Sequence, residues 1–242
     1  MDFDKVLDWK AEGMRFSLFT TTPITAHTEW WADFAGVEPE TSVSKASTGE
    51  NLYTGNFESG ILELRLLPDR IDWIFKANIE HEPFFPSVGD FKTQFEKFKH
   101  GLEKWLSKND GVYSRLAFGA ILLHPVDGIK EGNSLLESFV PFLPISNANW
   151  QDFYLNFNKI TTVTIDDGSN VDLNRLINYS VVNVQTLIFN GMMRPASNYF
   201  TRLELDINTR IENNRTYETS DVCQLLHNLS DVSKALKDAS EV

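Results

Sequence analysis

Apolar residues alternate with polar ones on both sides of a single turn signal, and this pattern restricts the chain more than any other feature of its sequence. Leu62, Leu64 and Leu66 precede Pro68-Asp69, and Ile71, Trp73, Phe75, Ala77 and Ile79 follow it, interleaved with Asp72, Lys76, Asn78 and Glu80. A period of two belongs to an extended chain whose side chains point to opposite faces, so the segment predicts a half-buried antiparallel hairpin turning at Pro68-Asp69. A sheet with one apolar face needs a cover. The next segment supplies one, because Phe91, Phe95, Phe98, Leu102 and Trp105 recur at spacings of four and three, which is one side of a helix starting after Asp90.

The same two periods recur along the rest of the chain. Arg15 to Thr20 reads as a strand, and a short helix over Thr28 to Phe34 follows it. Leu116 to Leu123 reads as a buried strand interrupted at Pro125, with a short helix around Leu135 to Val140 stopped by Pro141 and Pro144. Phe153 to Ile165 forms a strand ending at Asp166-Asp167-Gly168, a hairpin-turn signal. In the return run, Val171 to Phe189, the apolar residues switch from odd to even positions after Val181, and a bulge or bend is expected there. Leu203, Leu205 and Ile207 complete a three-strand meander, and Val222, Leu225, Leu229, Val232 and Leu236 form the apolar stripe of a closing helix over Ser220 to Lys237. The fold class expected is α+β, mainly antiparallel sheet covered by two long amphipathic helices, with the C-terminal meander followed by a helix. Neither a repeat nor a long linker divides residues 1–242, so one domain is expected.

Charge and composition narrow the function classes. Thirty-four acidic against 22 basic residues give a formal charge of -12, which makes nucleic-acid binding over the whole surface unlikely. The single cysteine, Cys223, excludes an intramolecular disulfide framework. Met1 to Lys5 lack the basic and apolar regions of a secretory signal, and no apolar run reaches the ~20 residues of a membrane span. The expectation is a cytoplasmic protein without membrane contact.

Motifs of catalysis are missing. Neither a G-x-x-x-x-G-K-[ST] nor a G-x-G-x-x-G occurs, so neither a P-loop nor a dinucleotide cofactor is expected. There is also no G-x-S-x-G elbow. His27, His81, His100, His124 and His227 have no metal-ligand spacing, and no metal or other cofactor is expected. Glu80-His81-Glu82 is the one local cluster of such groups, and a solvated loop explains it. Glu63-Leu-Arg65 has the E-x-basic spacing of some nucleases, but Asp69 and Asp72 follow it where an acid should precede. Glu204 and Asp206 share a strand face beside Arg202. A metal-dependent hydrolase or nuclease would need Glu63, Asp72, Glu204 and Asp206 to converge in three dimensions.

Two features suit a protein partner or self-association. Trp30 and Trp31 are adjacent on a helix, where neighbours point about 100° apart, so both cannot face one core. Lys92, Lys97, Lys99 and Lys104 lie on the helix face opposite the phenylalanines. A third alternative is a binding domain for a small apolar ligand or peptide, using Trp- and Phe-rich sheet surface.

The stretches Phe91 to Trp105, Tyr113-Ser-Arg115 onward, Thr201 to Ile207 and Leu225 to Leu236 together resemble the layout of a sporadically distributed, uncharacterised family of bacterial proteins of about this length. Of the arginine, glycine, tyrosine and asparagine pattern of that family's central strand, only Arg115 is present here. The resemblance carries no catalytic residues. It implies a component of a bacterial defence or mobile-element system, and the function expected is a non-enzymatic interaction or accessory subunit.

Overall fold

A computed structural model describes residues 7–24, 27–79, 85–140, 142–145, 150–188 and 194–236. Their eleven strands form one antiparallel sheet, and four α-helices accompany it among the described residues. The strands are β1 (Lys10–Thr20), β2 (Thr41–Lys45), β3 (Glu50–Phe57), β4 (Gly60–Leu67), β5 (Arg70–Lys76), β6 (Gly89–Asp90), β7 (Val112–Val126), β8 (Tyr154–Thr164), β9 (Asn170–Ile188), β10 (Arg194–Thr209) and β11 (Tyr217–Glu218). The helices are α1 (Glu29–Ala35), α2 (Phe91–Leu106), α3 (Ile129–Phe139) and α4 (Thr219–Leu236). The sheet order is β2-β3-β4-β5-β1-β7-β10-β9-β8, with β6 beside β1 and β11 beside β7.

Register puts the apolar residues of every central strand on one side. Phe16 of β1 lies between Trp73 of β5 and Phe118 of β7, Phe118 lies opposite Ile207 of β10, and Trp73 lies opposite Leu64 of β4. All five residues are buried. The helices cover this side: α1 through Phe34 stacked on Trp73, α2 through Phe95 against Phe118, α3 through Phe139 stacked on Tyr179, and α4 through Leu225, Leu226 and Leu229 of the same core. Each such aromatic or aliphatic side chain removed from water contributes roughly 1.5–3 kcal/mol, so this single core holds both layers together. A buried cation lies on this apolar side. Arg175 of β9 is 3% exposed, lies opposite Ile207, and donates from Nη1 to Thr161 Oγ1 at 3.2 Å.

Local signals fix several boundaries. Asp90 Oδ1 accepts from the Thr93 backbone N–H at 2.9 Å and caps α2, as its sequence position predicts. The β4–β5 hairpin turns at Pro68-Asp69, with Leu67 opposite Arg70. Gly168, at φ 79°, closes the β8–β9 turn in a left-handed conformation that a Cβ would strain.

Of the four helices, α2 and α4 are the long ones and α1 and α3 the short ones. The structure corrects two readings of the sequence. Pro125 does not end β7, which continues to Val126 opposite Tyr199. Pairing with β1 stops at Leu123, so among the described residues this end of β7 has a partner on one side only, where a proline is tolerated. No bulge occurs in β9, which keeps a constant register with β10 from Ile188 to Leu173. The switch in apolar parity instead marks an apolar patch on the other side of the sheet, where Val182 lies opposite Phe200, which stacks on Phe85. The register shifts lie between β1 and β7, at Ala11/Gly13 and at Phe19/Thr20. Strands β2 and β3 escaped prediction: β2 is exposed throughout and has no alternation of burial to read.

Candidate functional site

With the helices all on one side, the opposite face of the sheet is left open among the described residues. Arg15, Arg65, Arg70, Arg115 and Arg202 stand on this face, with Arg210 just past its edge, whereas the four helices contain no arginine. Strand alternation explains the sorting: the partners of the buried Phe16, Leu18, Leu116 and Phe118 along each strand must point the other way.

The centre of this face is a hydrogen-bonded polar network. Asp72, 2% exposed, accepts from Ser17 Oγ at 2.6 Å and pairs with Arg70 Nε at 2.9 Å. Arg115 Nη2 donates to Asn208 Oδ1 at 2.9 Å; Asn174 Nδ2 donates to the same oxygen at 3.1 Å, and Asn208 Nδ2 donates to Asp206 Oδ1 at 2.9 Å. Phe19 lies directly between Arg70 and Arg115 in the register of three neighbouring strands. Their guanidinium carbons lie 5.8 and 5.5 Å from its ring centroid, within the range of cation–π attraction.

Two residues along the sheet, the character changes. Arg202 pairs with Glu204 and approaches Glu12 at 3.9 Å. Burial raises the Glu12 carboxyl above its ordinary range; Arg202 opposes this and Glu204 adds to it. At the far end, Phe85, Pro125, Val126, Asp127, Asn198 and Phe200 line a cavity of about 360 Å³.

The carboxylates of the metal-dependent reading do not meet. Glu63 pairs with Lys76 at 2.6 Å, and Asp72, Glu204 and Asp206 have the partners already given. Four strand intervals separate Glu63 on β4 from Glu204 on β10, roughly 19 Å at about 4.8 Å each. Among the described residues no three His, Cys, Asp or Glu side chains are grouped to hold a metal ion. Glu80-His81-Glu82 lies outside the described residues.

The residues proposed from sequence for a partner fall on the helical layer. Trp31 is fully buried against Trp73, and its adjacent Trp30 is half-buried, stacked on His27 at 4.4 Å and edge-on to Trp105. The pair thus divides as the 100° argument requires, but with Trp31 inside the core and Trp30 at its margin. Lys97 is paired with Glu58 and Lys99 with Glu96 at 3.2 Å, while Lys92 and Lys104 are exposed. The open-face group of Phe19, Arg70 and Arg115 was not singled out from the sequence. Its signal was the parity of Arg15-Phe-Ser-Leu-Phe19, which puts Arg15, Ser17 and Phe19 on the side away from Phe16 and Leu18.

None of the described helices is long and apolar enough to cross a membrane. In comparisons with known proteins, no protein-family model matches the chain and no curated protein is significantly similar to it.

Proposed function

We propose that this protein is a non-enzymatic interaction subunit of a larger assembly and that its partner docks on the open face of the sheet. The observation that carries the reading is the division of the fold into one face that packs against the helices and one face of ordered, outward-facing charge. Side chains held by neighbours lose little freedom on binding, which lowers the cost of forming an interface. The mixture of arginines and carboxylates suits a protein surface with complementary charges rather than a uniform polyanion. A bacterial defence or mobile-element setting is part of the proposal through the family resemblance alone, and the identity of the neighbouring genes tests it.

Affinity capture from the host, followed by cross-linking and mass spectrometry, tests the docking surface. The expected result is a defined partner cross-linked to residues of the open face and lost on Arg15→Glu. Capture of no partner by the full chain, or a partner mapped only to the helical layer, overturns the reading.

A further inference from the structure

The geometry points to the Arg70–Phe19–Arg115 row as a subsite for a single carboxylate presented by a protein partner. This deepens the interaction reading above and rests on it. The three residues are direct cross-strand neighbours, so two cations flank one ring across β5, β1 and β7. Like charges brought together in this way repel unless an anion is shared between them. Beneath the row, Asp72 is 2% exposed and is already engaged by Ser17 and Arg70. The described anchor of Arg115 is neutral, the Asn208 amide oxygen, and its Nε is buried without a hydrogen-bond acceptor among the described residues. The row places two guanidiniums together on a protein whose formal charge is -12.

A carboxylate fits this place better than a phosphate chain. Guanidinium forks bind planar carboxylates through two parallel hydrogen bonds, and both guanidiniums lie over the Phe19 ring. Asp206, two residues along β10, accepts from the Asn208 amide at 2.9 Å, and Glu204 lies beyond it, so a polyanion following the face would meet carboxylates within one or two contacts. An Asp or Glu side chain with neutral or basic neighbours avoids that repulsion.

Arginine side-chain nuclear magnetic resonance on the full chain tests the assignment. The probe is N-acetyl-glutamic acid α-amide, which has a carboxylate only on its side chain; N-acetyl-glutaminamide is the neutral control and dimethyl phosphate the phosphate analogue. The carboxylate is expected to shift the Nε resonances of Arg70 and Arg115 saturably and the control to leave them in place. Arg115→Ala should weaken binding about tenfold or more, equivalent to ~1.4 kcal/mol. Arg115→Lys keeps the charge and the packing of the stem, and should still weaken it through loss of the fork. If the carboxylate shifts neither resonance, if dimethyl phosphate binds as tightly, or if Arg115→Lys and Arg115→Ala bind like the parent, the subsite is wrong. A captured partner that survives Arg70→Ala/Arg115→Ala on the open face would sink this inference alone. Saturable carboxylate binding without any captured partner would instead remove the broader reading.

Discussion

Gly101 of α2 faces Phe34 of α1 so closely that a Cβ at Gly101 would stand 2.4 Å from Phe34 Cε1. Phe34 cannot retreat, because it is stacked on Trp73 at 4.4 Å and packed against Phe57 and Phe98. Gly101→Ala should therefore destabilise the protein by about 1–3 kcal/mol, the usual cost of overpacking. Helix propensity alone would give the opposite sign, a gain of up to about 1 kcal/mol. Urea unfolding of the two chains decides between them.

The adjacent tryptophans should separate in a stability assay. Trp31→Ala empties a fully buried site and should cost roughly 3–5 kcal/mol. Trp30→Ala removes a half-buried ring and should cost clearly less. Equal losses in denaturant midpoint would contradict the assignment of Trp31 to the interior.

Asp72 is expected to be structural. Asp72→Ala would leave the buried Ser17 hydroxyl and the Arg70 guanidinium without their shared acceptor, at a cost of about 1.5–3 kcal/mol. Thermal melting measures this. Ser17→Ala should lose less, since Asp72 keeps Arg70.

Two buried tyrosines make a contrast. Tyr179 is fully buried and its hydroxyl has no hydrogen-bond partner among the described residues, so Tyr179→Phe should be neutral or stabilising. Tyr217 accepts from Asn213 Nδ2 at 3.1 Å, and Tyr217→Phe should cost about 1 kcal/mol. Parallel denaturant titrations compare them.

Alkaline pH should expose the same burial. Burial pushes the phenols of Tyr113 and Tyr179 from the ordinary 10.0 up to about 12. A phenol kept neutral in the folded state contributes stability that is complete below pH 10.0 and is lost as pH rises through about 12. Phenolate absorbance should therefore show these two tyrosines titrating late in the folded protein, with melting temperature falling over the same interval. Glu12 behaves analogously at the acid end. Its raised carboxyl stabilises the folded state when protonated, so Glu12→Gln should help most at neutral pH and make no difference at pH values well below the carboxylate range.

The hairpin at Pro68-Asp69, the Asp90-capped helix and the Asp166-Asp167-Gly168 turn were legible because each depends on side-chain alternation, helical spacing or turn chemistry within a few residues. Strand β2 was not, since its five residues are all exposed, and neither was the continuation of β7 through Pro125, which depends on where β1 stops pairing. The switch of parity in Val171 to Phe189 was read as a bulge or bend of the backbone, whereas it is a change of face in a regular strand. The apolar patch that explains it is built by Phe200 and Phe85, far away in sequence.

The order of the long strands and helices, the buried side of most of those strands, and the acidic balance were determined by the sequence itself, because period, turn chemistry and charge are local or additive properties. Which carboxylates stay apart, which tryptophan enters the core, and that Arg70 and Arg115 meet over Phe19 were decided only by the tertiary structure. Those relationships depend on the pairing of β5, β1 and β7 and on the helices all choosing one face, and no spacing along a single segment encodes them.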